Sequence, residues 1–179
     1  MQSLVNMFTG GQKTEAPKEA SDALDFKAAL TNGSSVLRSN GEQTVGGEQT
    51  TVEQTLQPSL KLLMFYFSMH NCPPCREFTP LLAELYKDMN DTEQVMEVIF
   101  FSGDPTQEVY NEYFGEMPWK ALPFKDGRLK AIAKNFKVKG LPRLIVLDAQ
   151  TMKVLHDDAV ATITEKGPVI LEEWMSQGN

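Results

Sequence analysis

The chain contains two cysteines, and they stand three residues apart as Cys72-Pro73-Pro74-Cys75. On a helix, residues at that spacing lie one turn apart on the same face, close enough to join in a small disulfide. Such a pair cycles between dithiol and disulfide through a mixed-disulfide intermediate, with the thiolate as the attacking species. The chemistry therefore makes two demands on the surrounding chain. A helix N-terminus must favour negative charge at Cys72, and a rigid element must hold that terminus in place.

Both demands are met on either side of the motif. Residues 62–67 read LLMFYF, an apolar run with no helical stripe and no polar alternation, which predicts a strand buried on both faces. Pro73 suits the first helical position, where its missing N–H would be unpaired in any case. Beyond it Phe78, Leu81, Leu82, Leu85 and Met89 recur at helical spacing, predicting a helix of about four turns. Strand, tight turn and helix place Cys72 at a helix mouth.

The rest of the composition narrows what this chemistry serves. At 179 residues the chain suits one domain with a substantial core plus a tail. Both cysteines are used in one motif, so no disulfide framework is available and a reducing compartment is expected. The first ten residues lack a basic start and a long apolar core, and no run approaches a membrane span. A cytoplasmic protein is expected, with no membrane partner. Seventeen Lys and Arg against 24 Asp and Glu leave a charge of −7, which gives no general attraction for nucleic acid. Lys120, Lys125, Arg128, Lys130, Lys134, Lys137, Lys139 and Arg143 form a local basic stretch, read as a solvated helix face. One Cys-x-x-Cys supplies only two ligands, and His70 and His156 lack the paired spacing of a structural zinc site, so neither a metal nor an organic cofactor is called for. His70 is read as a solvated loop residue.

Taken in order, residues 1–34 are polar and Gly-rich, interrupted by apolar islands at Leu4, Val5, Met7 and Phe8 and at Leu24 and Phe26. They read as an N-terminal extension, with residues 35–179 as the domain. Val36, Leu37 and Arg38 before Asn40-Gly41 predict a hairpin returning through Gln43, Thr44 and Val45, with a helical turn near Val52. A second apolar strand spans 95–101. Asp104 suits the cap of a helix that starts at Pro105 and turns Val109, Tyr113 and Phe114 inward. The stretch 117–124 is too proline-rich for a regular element. Leu129, Ile132, Ala133 and Phe136 mark another helix, 144–147 and 153–155 two strands joined by a turn, and Ile170, Leu171 and Trp174 one closing helix. Strands alternating with helices predict an α/β domain, a central mixed sheet with helices on both faces.

In these pieces the chain resembles the tryparedoxin and nucleoredoxin branch of the thioredoxin-like superfamily. The likeness is carried by Phe65-Tyr66-Phe67-Ser68, Cys72-Pro73-Pro74-Cys75-Arg76, Phe78-Thr79-Pro80-Leu81-Leu82, Met117-Pro118-Trp119, Ala121-Leu122-Pro123-Phe124 and the segment around Pro142. It covers 35 onward and not the extension. The resemblance implies a thioredoxin-like fold and a thiol–disulfide oxidoreductase acting on protein or small-molecule disulfides, recharged by a dithiol or a thioredoxin-type reductant. It implies Cys72 as attacking thiolate, Cys75 as resolving thiol, and Leu141-Pro142 as a cis step facing the disulfide, with the Leu141 backbone free to pair with an extended substrate. Pro118 and Trp119 are implied as neighbours of the site, and Arg76 and Arg143 are candidates to flank the sulfurs and attract acidic thiols. Tyr66 stands where ordinary thioredoxins bury a carboxylate, leaving proton transfer to water or another group.

Two departures from the family pattern carry an expectation of their own. His70-Asn71 precede Cys72 where the family has Trp, and Gly103 precedes Asp104 where it has a second Trp. With two covering aromatics absent, the sulfurs are expected to be more exposed. The same departures motivate a rival reading: a non-catalytic, thioredoxin-like structural subunit of a cytoskeletal, microtubule-associated assembly that docks through residues 1–34.

Overall fold

The computed structural model describes residues 35–38 and 49–177. The elements run β1 (Ser35–Arg38), β2 (Gln49–Thr51), α1 (Val52–Thr55), β3 (Leu62–Ser68), α2 (Pro73–Met89), β4 (Met96–Ser102), α3 (Gln107–Gly115), β5 (Lys120–Ala121), α4 (Arg128–Asn135), β6 (Arg143–Asp148), β7 (Val154–His156), α5 (Val160–Lys166) and α6 (Pro168–Gln177). The strands form one mixed seven-stranded sheet in the order β2-β1-β5-β4-β3-β6-β7. β3 runs parallel to β4 and antiparallel to β6.

The apolar run 62–67 becomes β3, the strand that feeds the Cys-x-x-Cys helix, and every residue of β3 is buried. Its alternation divides the core in two. Leu62, Met64 and Tyr66 join a cluster with Phe78 and Leu82 of α2, Tyr110 and Tyr113 of α3, and Trp174 of α6. Leu63, Phe65 and Phe67 join a second cluster with Ile99, Ile145 and Ile132 of α4. Helices therefore cover both faces, as the alternating pattern predicts. Each buried Phe or Leu contributes about 1.5–3 kcal/mol, so β3 is held rigidly where it ends beside the cysteines.

Several local expectations are corrected. The partner of β1 is 49–51, in the register Val36↔Thr50 and Leu37↔Gln49; the expected return strand at 43–45 lies outside the described residues, as do the apolar islands of 1–34. The proline-rich stretch does contain a strand. Pro118 and Pro123 flank Lys120 and Ala121, which keep their N–H groups and bridge β4 to β1. Lys120 is consequently not on a solvated face: it is buried and paired with Glu97. Asp104 does not cap α3; Thr106 does, its hydroxyl accepting from the Val109 N–H at 3.4 Å. The closing segment is two helices, because Gly167 at φ +60° ends α5 and Pro168 opens α6. Among the described residues, no helix is long and apolar enough to cross a membrane.

Candidate active site

Cys72 is the N-cap of α2, in extended backbone and without a side-chain capping bond. The first two helical positions are Pro73 and Pro74, neither of which has an N–H. The Arg76 N–H is used by the Cys72 carbonyl at 3.0 Å. The Cys75 N–H is therefore the first free donor of the helix, three residues along from Cys72, and it adds to the positive end of the dipole there. The two Cα atoms are 5.2 Å apart and the sulfurs are bonded to each other.

Burial separates the two sulfur-bearing residues. Cys75 is wholly buried, on the side of α2 that carries Phe78, Thr79 and Leu82, while Cys72 retains 8% of its surface. The expected exposure of the pair is not found. At Gly103 the space for a side chain is already occupied: a Cβ there would come within 3.2 Å of Leu141 Cδ1 and 3.6 Å of Met69 Cβ. The side chain of Leu141 takes up the space beside Gly103.

The Leu141-Pro142 bond is cis. Among the described residues, neither the N–H nor the C=O of Leu141 has a backbone partner. Pro142 and Pro74 of the motif line one groove of about 460 Å³, continued along α2 and α5 by Glu77, Phe78, Leu81, Asp158 and Val160. Pro118 and Trp119 are not part of it. Trp119 is 1% exposed, and its ring meets Tyr66 at 6.1 Å and Tyr86 at 5.8 Å. It backs the core under the motif.

The charged candidates are already engaged. Arg76 pairs with Glu116 at 2.7 Å and lies over the Tyr113 ring at 5.2 Å. Arg143 reaches Asp158 at 3.2 Å and Asp157 at 3.4 Å. Carboxylates thus answer both guanidiniums, which offsets part of the expected pull on acidic thiols. His70 is pinned: its N–H donates to Asp104 Oδ1 at 2.7 Å and its ring stands edge-on to Tyr113 at 5.7 Å. Ser102 also donates to Asp104, at 2.7 Å, so this carboxylate ties the loop before Cys72 to the end of β4.

Sequence reading singled out Tyr66 but missed the hydroxyl cluster to which it belongs. Thr79 donates to the Cys75 carbonyl at 2.9 Å, and its oxygen lies 2.8 Å from the Tyr66 hydroxyl and 2.6 Å from that of Tyr113. Tyr113 continues to Ser68 at 2.9 Å. The signal was present in the spacing, since Tyr66 and Ser68 share a face of β3 and Thr79 stands four residues after Cys75 on α2. Among the described residues no carboxylate enters the cluster. Four neutral hydroxyls brace the first turn of the helix through one carbonyl.

Burial pushes the Tyr66 phenol well above its ordinary range, with Tyr113 adding to the rise, and burial does the same to Tyr110, helped by Asp104. Both phenols hold their protons in the fold after the unfolded chain has lost them. Stability is therefore complete below about pH 10 and falls as pH rises above it, by about 1.4 kcal/mol per pH unit for each phenol. Tyr66→Phe should make this alkaline limb shallower by one such slope. Urea titrations between about pH 9 and 11 measure it, and identical slopes for variant and wild type would refute the assignment.

Comparison with known proteins places these features in context. The thioredoxin-like family profile matches residues 59–154. Probable nucleoredoxin 1 of Arabidopsis thaliana is 51% identical over 115 residues, 59% of this chain and 20% of that protein. Tryparedoxin of Trypanosoma brucei brucei is 37% identical over 106 residues, 59% of this chain and 73% of that protein. The solved structure of tryparedoxin from Trypanosoma brucei superposes with a TM-score of 0.70 at 29% identity, covering 83% of this chain and 96% of that one. The matched nucleoredoxins are much longer: the chain spans 20%, 28% and 23% of those from Arabidopsis thaliana, Danio rerio and Mus musculus.

Proposed function

The chain belongs to the thioredoxin-like family, in the branch of the tryparedoxins and nucleoredoxins, and on that premise we propose that it reduces disulfides of proteins or small molecules through Cys72 and Cys75. The observation that carries this reading is the disulfide at the mouth of α2, with one sulfur-bearing residue keeping 8% of its surface and the other wholly enclosed. Cysteines kept only for packing would have no need of a proline-bared helix start at which the first free N–H belongs to the second cysteine.

In the reduced chain, Cys72 is the thiolate that attacks. The helix end stabilises its charge, and its residual exposure admits a substrate sulfur. Attack breaks the substrate S–S bond, forms a mixed disulfide at Cys72, and releases one substrate thiolate, which takes a proton from water. Cys75 then attacks Cys72 Sγ, its proton passing through water to the departing substrate sulfur. The second substrate thiol leaves, and the chain keeps the disulfide seen in the structure. Two electrons pass to the substrate, and an external dithiol or thioredoxin-type reductant returns them. Such a cycle suits a reducing compartment.

Cys75→Ser separates the two steps. With the resolving sulfur gone, the variant should accumulate a covalent adduct when mixed with an oxidised peptide, seen as a mass increase of one peptide half that dithiothreitol removes. Absence of the adduct, with Cys72 still alkylatable, would end this reading.

A further inference from the structure

The groove that opens beside the disulfide has an apolar floor and an acidic rim. Phe78 and Leu81 of α2 face Val160 of α5 across it. Glu77 is exposed, and no ion pair among the described residues involves it. On the other side one guanidinium, Arg143, lies between two carboxylates, Asp157 and Asp158, which leaves one net negative charge. Of the charged residues only Glu77 and Asp158 line the groove itself, and among the described residues no Lys or Arg does, so with Arg143 and Asp157 counted behind Asp158 the rim still carries two net negative charges. Next in sequence to Pro142 of the lining, the N–H and C=O of Leu141, unpaired among the described residues, offer an extended backbone one residue of strand pairing.

We propose that this groove reads the sequence around a peptide disulfide and selects segments with a Lys or Arg close to the cysteine under attack. The inference rests on the disulfide-reductase reading above and adds its substrate class. Pro74 and Leu81 are seven residues apart, about 10 Å along a helix, which an extended peptide covers in about three residues. A basic side chain within that distance of the cystine meets Glu77 or the Asp157–Asp158 pair, while an intervening apolar side chain rests on Phe78 and Leu81. A glutamate in the same place meets a rim of net negative charge. Rim charges of this kind act mainly on encounter and weaken with salt.

The test is a single-turnover oxidation of the pre-reduced chain by symmetrical peptide disulfides that differ only in Lys, Gln or Glu two residues from Cys, quenched by alkylation. At low salt the Lys peptide should oxidise the chain about three- to tenfold faster than the Glu peptide, and the gap should close near 0.3 M salt, where the screening length falls to roughly 6 Å. Glu77→Lys should abolish or invert the preference. Glu93→Lys, an identical charge change at an exposed residue past the far end of α2, should leave it in place. One common rate for all three peptides at low salt would overturn the proposal. So would an equal loss of preference in Glu93→Lys, which would trace the effect to net charge. In either case the reductase reading survives, since the peptides are still reduced. Failure of every peptide to oxidise the chain would defeat that reading and this one together.

Discussion

Cys72→Ser should bring disulfide reduction down to the rate of the reductant alone. The argument turns on the unequal surroundings of the two sulfurs. A serine hydroxyl stays protonated at neutral pH, and the helix end that suffices for a thiol cannot bring it into range. Cys75 offers no substitute, because it is 0% exposed and an incoming disulfide cannot reach it without opening the first turn of α2. The fold should survive the change. Cys72 is the N-cap but makes no side-chain cap bond, and serine is among the best residues at that position. The loss is therefore chemical, and it can be shown as such: insulin reduction by dithiothreitol falls to background while the thermal midpoint is unchanged or higher. A variant that keeps even a third of the wild-type rate would remove Cys72 from the mechanism and leave the chain without its nucleophile.

The contrast between what the sequence disclosed and what it concealed has a physical basis. β3 and the Cys-x-x-Cys helix were legible because long buried runs and long amphipathic stripes repeat the same signal over many residues. The disulfide needed only spacing. The cis bond at Leu141-Pro142 came from resemblance alone, since proline permits that geometry without announcing it. β5 was hidden because two residues are too few to show a period, and its prolines read as breakers although they only flank it. The cap of α3 went to Thr106 because Asp104 was engaged elsewhere, by His70 and Ser102, and a local rule cannot see a partner 34 residues away. The low exposure of Cys72 and Cys75 ran against the argument from missing aromatics, and at one of those two positions, Gly103, the side chain of Leu141, remote in sequence, already takes up the space.

Lys120 is the residue whose role was most thoroughly misread, and it carries the largest structural prediction. Its ammonium pairs with Glu97 Oε2 at 7% and 0% side-chain exposure. Glu97 is otherwise satisfied by the Gln94 side chain at 2.8 Å, the Val98 N–H at 3.0 Å and the Tyr86 hydroxyl at 3.2 Å. Lys120→Met leaves that carboxylate enclosed without a counter-charge, a loss of about 3–5 kcal/mol. Glu97→Gln with Lys120→Met removes both charges and should recover part of the deficit, because the cost lies in the orphaned ion more than in the pair. The consequence extends to the site. β5 is the only strand between β4 and β1 in the sheet of described residues, and Trp119, next in sequence to Lys120, backs Tyr66 and so the hydroxyl cluster that braces Cys75. Loosening β5 should therefore speed alkylation of Cys75 in the reduced chain at denaturant concentrations too low to unfold it. Urea midpoints of the single and double variants measure the first effect, and timed alkylation with mass readout the second. A Lys120→Met variant within about 0.5 kcal/mol of wild type would show that the ammonium contributes nothing to the fold.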